Sequence, residues 1–219
     1  MKNFLRTVYR RMHLYKLYNH LPFNNKYKLN GAKIKNFGKT LKKCRFICHG
    51  EGNTIILHPH GIIKNTVFRI YGNNNTVEIC NGSAISQGEL YIEDDGNRIE
   101  IGENTLLTGK IHLACIESKT IKIGNDCLLS SEIVFRTGDS HSILDMSGNR
   151  INPAEDVIID DHVWIGHRAV INKGAYVAPN TVIGAGTIVT KKFSEANVIL
   201  AGVPARIVKK DINWDSKRL

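Results

Sequence analysis

The sequence predicts an all-β chain wound as a triangular coil, each turn made of three short parallel strands stacked on the turn before. Three observations predict it. In the C-terminal half, Ile159, Ile165, Ile171, Val177, Ile183 and Val189 fall six residues apart. Two residues ahead of each stand Val157, Val163, Ala169, Ala175, Thr181 and Thr187, all small or β-branched. Further upstream the period is 22, aligning Leu57, Ile79, Ile101 and Ile123, and again Ile63, Ile85, Leu107 and Leu129. A helix requires a period near 3.6, and simple strand alternation gives no preference for six. A hexapeptide supplies one short strand and one corner with its aliphatic residue pointing inward. Three such units close a turn, and turns stack about 4.8 Å apart. A period of 22 is three hexapeptides with a four-residue insertion, and Glu93-Asp94-Asp95-Gly96 reads as one such turn.

The elements divide the 219 residues into a segment 1–45, a coil 46–205 and a tail 206–219. The first segment is basic. Residues 1–50 hold thirteen Lys or Arg and no acid, the first being Glu51, whereas the whole chain carries a net charge of +10. From Asn3 to Leu21 the spacing of Phe4, Leu5, Val8, Met12 and Tyr15 predicts a helix, ended by Pro22 and the Asn24-Asn25 pair. Its Arg6, Arg10, Arg11 and Lys16 suit a solvated face on a helix packed against the body, or peripheral contact with an anionic membrane surface. No nucleic-acid-binding motif accompanies the charge, so no nucleic-acid partner is expected. No apolar run approaches the roughly 18–20 residues that span a bilayer, and no apolar stretch follows the basic start as in a secretion signal. The five cysteines, Cys44, Cys48, Cys80, Cys115 and Cys127, are odd in number and scattered, which suits free thiols and a cytoplasmic protein.

The coil breaks step once. From Ile123 to Ile159 is 36 residues, a full 18-residue turn and an excess of 18. The excess falls at about 136–156, from Arg136-Thr137-Gly138-Asp139-Ser140-His141 through Asn152-Pro153-Ala154-Glu155-Asp156, polar and rich in turn formers. A long loop on a rigid scaffold is where chemistry is expected.

From about residue 79 to 210 the chain resembles the hexapeptide-repeat acyltransferases of the left-handed β-helix superfamily. The resemblance rests on Asp139-Ser140-His141, on His162-Val163-Trp164-Ile165-Gly166, on Ile183-Gly184-Ala185-Gly186-Thr187-Ile188-Val189-Thr190-Lys191, and on Ala201-Gly202-Val203-Pro204-Ala205-Arg206. The loop, with Arg150-Ile151-Asn152, is most similar to the branch that O-acetylates capsular and other surface polysaccharides. The resemblance implies a left-handed coil, acetyl-CoA as donor, a carbohydrate hydroxyl on a surface polysaccharide or its precursor as acceptor, no metal, and a homotrimer with clefts between neighbours.

O-acyl transfer from a thioester needs a base for the hydroxyl proton and a seat for coenzyme A. His141 is the natural base, since imidazole accepts a proton near neutral pH. Asp139 is the candidate to orient it. By resemblance Trp164 belongs to the acceptor and pantetheine cleft. Gly166, His167 and Ala185 flank the pantetheine arm, and Thr190, Lys191, Arg206 and Lys209 meet the phosphates. Val177-Ala178-Pro179-Asn180 departs from the usual hydrophobic-Gly-Asp-Asn, and Lys192–Asn197 lacks the turn proline common in relatives. Other functions are carried alongside: N-acetylation of an amino-sugar nucleotide; a zinc enzyme like the β-helical carbonic anhydrases, using His141, His162 and His167; and a non-catalytic scaffold.

Overall fold

The computed structural model describes residue 19 and residues 24–217. The expected helix over Asn3–Leu21 lies outside the described residues, Asn19 apart. All the described strands but the last pair in parallel, and they lie on three faces of a prism. The first face stacks Lys33–Asn36, Thr54–Leu57, Thr76–Ile79, Arg98–Ile101, Thr120–Ile123, Val157–Ile159, Tyr176–Val177 and Lys192–Phe193. The second runs from Thr40–Lys42 and Ile62–Lys64 through the first halves of Ala84–Glu93 and Leu106–Ile116 to Leu128–Leu129, Trp164–Ile165, Val182–Ile183 and Ile199–Ala201. The third takes Lys26–Lys28, Arg45–His49 and Thr66–Tyr71, the second halves of the same two long strands, then Ile133–Arg136, Val170–Ile171 and Ile188–Val189.

The predicted columns line the interior. On the first face Leu57, Ile79, Ile101, Ile123, Ile159 and Val177 stand in register, each fully buried. The second face contributes Ile63, Ile85, Leu107, Leu129, Ile165 and Ile183. The third contributes Phe46, Phe68, Leu90, Leu113, Phe135, Ile171 and Val189. Each such side chain removed from water contributes about 1.5–3 kcal/mol, which makes the prism rigid along its length.

The coil begins earlier than the boundary at 46. Lys33–Asn36 pairs with Thr54–Leu57 in the register of the later turns. The lysines of this stretch hid it: Lys33, Lys35 and Lys42 point outward while Ile34, Leu41 and Cys44 face in. Its lower end is closed by asparagines: Leu41 N–H donates to Asn19 Oδ1 (2.7 Å) and Cys44 N–H to Asn25 Oδ1 (2.9 Å). The upper end is closed by Arg206–Lys209, antiparallel to Ile199–Ala201. The tail boundary at 206 therefore falls inside the fold. These contacts satisfy two backbone donors at the lower end and pair the second face's last strand at the upper one.

The corner between the third and first faces carries a buried amide ladder. Asn75 N–H donates to Asn53 Oδ1 (3.0 Å), Asn97 N–H to Asn75 Oδ1 (2.8 Å) and Lys119 N–H to Asn97 Oδ1 (3.0 Å). Backbone donors at a tight corner have no carbonyl in reach, and a stacked asparagine satisfies them. At the next level this corner opens into the long loop, residues 137–156, leaving Arg136 and returning at Val157.

Candidate active site

The loop is held by a few strong contacts. Arg150 grips Glu117 on the ladder corner with two parallel bonds, 2.9 and 2.6 Å. That guanidinium holds the Glu117 carboxyl below its ordinary range. Asp145 accepts from the backbone of Ser147 (2.8 Å) and Asn149 (2.9 Å), which turns the tip at Gly148.

Asn152, almost fully buried, is the strut. Its Nδ2 donates to Asp139 Oδ2 (2.9 Å) and to the carbonyl of His141 (2.8 Å), and its Oδ1 accepts from Ile143 N–H (2.7 Å). Lys173, from the next turn, donates to Asp139 Oδ2 at 2.6 Å and to Asn152 O at 3.2 Å. The bond from Lys173, then that from Asn152, keeps the Asp139 carboxyl below its usual value. Asp139 therefore holds the loop. None of its hydrogen bonds among the described residues reaches the His141 ring, which stands exposed with its backbone carbonyl held by Asn152.

Trp164 lies elsewhere. It opens the second face, 41% exposed, between Leu128 and Val182. In a three-sided prism the second face is the one opposite the corner that carries the loop. His141 and Trp164 are thus kept apart within one chain.

Gly166 and His167 lie at the corner between the second and third faces, with Ala185 one turn above. A Cβ on Gly166 would sit 2.7 Å from Ala185 N, so stacking alone demands glycine there. His167 Nδ1 lies 2.8 Å from Ser131 Oγ and 3.0 Å from Ser131 O. Gly186, with φ +69°, has open space beyond its missing Cβ. Arg206 is paired with Ala201 above the second face, and Lys209 with Ile199. Thr190 and Lys191 instead lie at the loop's own corner, two turns further up, with Lys191 Nζ 5.4 Å over the Phe193 ring. The sequence-predicted residues thus fall into two groups: His141, Asp139, Thr190 and Lys191 on the loop corner, and Trp164, Gly166, His167, Ala185, Arg206 and Lys209 around the second face.

Two features escaped the sequence reading. Asn152 entered the sequence reading only as part of Arg150-Ile151-Asn152, with no role assigned, and Lys173 had no signal beyond being polar above a loop. Trp214 did carry one, a lone tryptophan in a polar tail. Its ring stacks on His162 (centroids 4.3 Å apart, 9° between planes), its Nε1 donates to His162 O (2.8 Å), and it lies 6.1 Å from Trp164. His162 Nδ1 meets Asn180 Oδ1 at 2.9 Å. His141, His162 and His167 are therefore not gathered within the chain. Among the described residues the three-ligand cluster is His58, Glu78 and Cys80, where Glu78 is already bonded to Arg98 at 2.6 Å. All five cysteines are free, and burial pushes the thiols of Cys115 and Cys127 up to about 12, which removes them as nucleophiles at neutral pH.

A rigid triangular coil whose one interruption presents a histidine defines an acyl-transfer scaffold, and comparison with known proteins gives it a family. Residues 156–191 match the bacterial transferase hexapeptide (six repeats) model. The chain is 34% identical over 189 residues to a polysialic acid O-acetyltransferase of Neisseria meningitidis, covering 77% of this chain and 88% of that one. A polysialic acid O-acetyltransferase of Escherichia coli O1:K1 is 33% identical over 120 residues, which is 54% of this chain and 38% of that relative's length. A crystallographic polysialic acid O-acetyltransferase superposes with a TM-score of 0.81 at 31% identity, over 89% of this chain and 92% of the other. The chain belongs to the hexapeptide-repeat O-acetyltransferases, and its coil is the left-handed β-helix of that family.

Proposed function

We propose that the chain transfers acetyl from acetyl-CoA to a hydroxyl of a capsular polysaccharide, with His141 as general base. His141 takes the hydroxyl proton as the oxygen attacks the thioester carbonyl. The tetrahedral intermediate expels the coenzyme A thiolate, and the imidazolium returns the proton to sulfur, leaving an O-acetyl ester and free coenzyme A. No acyl-enzyme is needed. Asp139 acts through Asn152 and Lys173 as a positioning residue, keeping the loop in one conformation.

The observation that carries this reading is the separation of the two groups. A base on one corner and a cleft tryptophan on the opposite face make a complete site when a neighbouring chain supplies the missing half. Three chains about a threefold axis give each loop a partner's second face. The loop tip fits that role, because Ile143 (55%), Leu144 (56%) and Met146 (104%) are exposed together and call for cover. A cytoplasmic reaction is part of this reading, supported by the free cysteines and by the use of acetyl-CoA that it assumes. Among the described residues no helix is long and apolar enough to cross a membrane; contact of the basic N-terminal segment Asn3–Leu21 with an anionic membrane surface is part of the same proposal.

The test is complementation. His141→Ala and Trp164→Ala are each expected to be inactive alone. Unfolded together and refolded as a mixture, they regain about a quarter of the wild-type sites, since a site is whole when both contributing chains carry the right half. No recovery would refute the shared site.

A further inference from the structure

Of the five cysteines Cys80 alone is not buried, and two other metal-binding side chains stand beside it. Cys80 lies at the corner between the first and second faces, one turn above His58 and two residues beyond Glu78. The Cys80 sulfur, a His58 ring nitrogen and a Glu78 carboxylate oxygen all lie within 4.8 Å of one another. This corner is across the first face from the long loop, and two turns below the one from which the loop leaves. The proposed transfer makes no use of it.

The three side chains stand on a fixed frame. His58 N–H donates to Ile79 O (2.9 Å) and Cys80 N–H to Ile101 O (2.9 Å), both part of the strand ladder. From inside the prism the buried Lys39 donates to Cys80 O (2.8 Å). The Phe37 ring lies against His58 from the turn below, centroids 5.9 Å apart. Arg98 orients Glu78, taking Oε2 at 2.6 Å and leaving Oε1 at 2.8 Å from His58 Nε2. Gly102 follows in register above Cys80 and adds no side chain over the sulfur. Of the two nearby cations, Arg98 is shared between Glu78 and Glu100 (3.1 Å), and the Lys39 ammonium is engaged by the carbonyls of Cys80 and Ser83 (3.0 Å). Burial, then the carboxylates of Glu78, Glu100 and Glu103, hold the Cys80 thiol above its ordinary pKa. A thiol so placed is a poor free nucleophile, in a field that favours a cation.

We propose that His58, Glu78 and Cys80 bind a divalent transition metal of the zinc class, which clamps two successive turns of the prism together. One thiolate, one imidazole and one carboxylate are a donor set such an ion accepts, whereas calcium and magnesium require oxygen ligands. A tetrahedral ion with bonds of about 2.0–2.3 Å holds its ligand atoms about 3.3–3.6 Å apart. Small side-chain rotations on the fixed backbone bring the three atoms to that spacing. The ion takes the place of the proton between His58 Nε2 and Glu78 Oε1, which passes to the other ring nitrogen. The Cys80 thiol gives its proton to solvent, and water fills the fourth position on the open side. The clamp is independent of the transferase reading, because it uses none of the residues that reading invokes.

The test titrates the metal-stripped full chain with cobalt(II), whose bond to a thiolate is visible as a charge-transfer absorbance, and then with zinc. One equivalent of cobalt per chain should give that band together with the d–d bands of a four-coordinate ion, and one equivalent of zinc should bleach both. Zinc should also slow modification of Cys80 by a disulfide reagent at least about tenfold, and raise Tm as its concentration rises. Cys80→Ser abolishes the charge-transfer band. His58→Gln and Glu78→Gln each weaken zinc binding by at least about tenfold. Circular dichroism of each stripped variant checks that the prism itself is intact, and the thiol-protection assay on the wild-type chain needs no variant at all. Absence of the charge-transfer band overturns the site, as does zinc binding that leaves Cys80 as reactive as in the stripped chain.

Discussion

Replacing Asn152 by alanine isolates the geometry of the loop from its chemistry. The side chain touches no substrate in the proposed reaction, yet it makes three bonds of 2.7–2.9 Å that fix residues 139, 141 and 143. Two join backbone groups and contribute about 1 kcal/mol each; the bond to the Asp139 carboxylate contributes about 2 kcal/mol. Asn152→Ala therefore removes about 4 kcal/mol from the native loop conformation while leaving the prism core intact. Converted at 1.36 kcal/mol per decade, that is about 10³ in the population of the ordered loop as an upper bound. Arg150 and Lys173 still tether the loop, so the expected loss in kcat/KM is about 10²-fold, with the KM for acetyl-CoA little changed. The assay is steady-state thiol release with a saturating glycan acceptor, beside hydrogen exchange over residues 139–152. Protection should collapse there while the Asn53–Asn97 corner stays protected. A variant within threefold of wild type, or one whose activity falls while loop protection is kept, would refute the claim that Asn152 acts by placing His141.

His141→Ala should abolish acceptor-dependent thioester turnover without lowering Tm, since the ring is exposed. Asn75→Ala leaves the buried Asn97 N–H without its acceptor (2.8 Å) and takes one of the donors from Asp94 O (3.0 Å), which keeps Asn97 Nδ2 at 3.2 Å, and should destabilise the chain by about 2 kcal/mol in urea titration. If the chain assembles as proposed, Met146→Asp at the loop tip shifts that proposed trimer to monomer in sedimentation, with activity lost in parallel. Acid should release the loop. Asp139 and Glu117 both have folded pKa values below their unfolded ones, so their contribution is complete above about pH 4.5 and disappears as pH falls through the folded values. Limited proteolysis of residues 139–152 reads that loss, and Lys173→Met should move its onset to higher pH.

The fold was legible because its periodicity is enforced at every rung. The inward strand positions are filled almost throughout by aliphatic or aromatic side chains, as at Ile159, Ile165 and Ile171. The start of the coil was hidden because Lys33, Lys35, Lys39 and Lys42 dominate its composition. One of them, Lys39, is an interior lysine: fully buried, it donates to Cys80 O (2.8 Å) and Ser83 O (3.0 Å), and burial lowers its pKa to about 8. No periodic rule anticipates a lysine inside the prism.

The site was legible only in part, and the reason is geometric. Hexapeptide spacing fixes which face a residue occupies, so Trp164 and Gly166 could be placed once the register was known. It does not fix the path of an eighteen-residue excursion. Asp139 is two residues from His141, and proximity in sequence suggested a direct bond to the ring. The folded loop instead turns that carboxylate toward Lys173, 34 residues on, and toward Asn152 across the loop's own base. A carboxylate so engaged acts on His141, in this loop conformation, through the loop it holds. Asp139→Asn should then lower kcat mainly by loosening the loop, and Asp139→Asn with Lys173→Met should be little worse than Asp139→Asn alone. A full additive loss in that pair would assign the two residues separate roles.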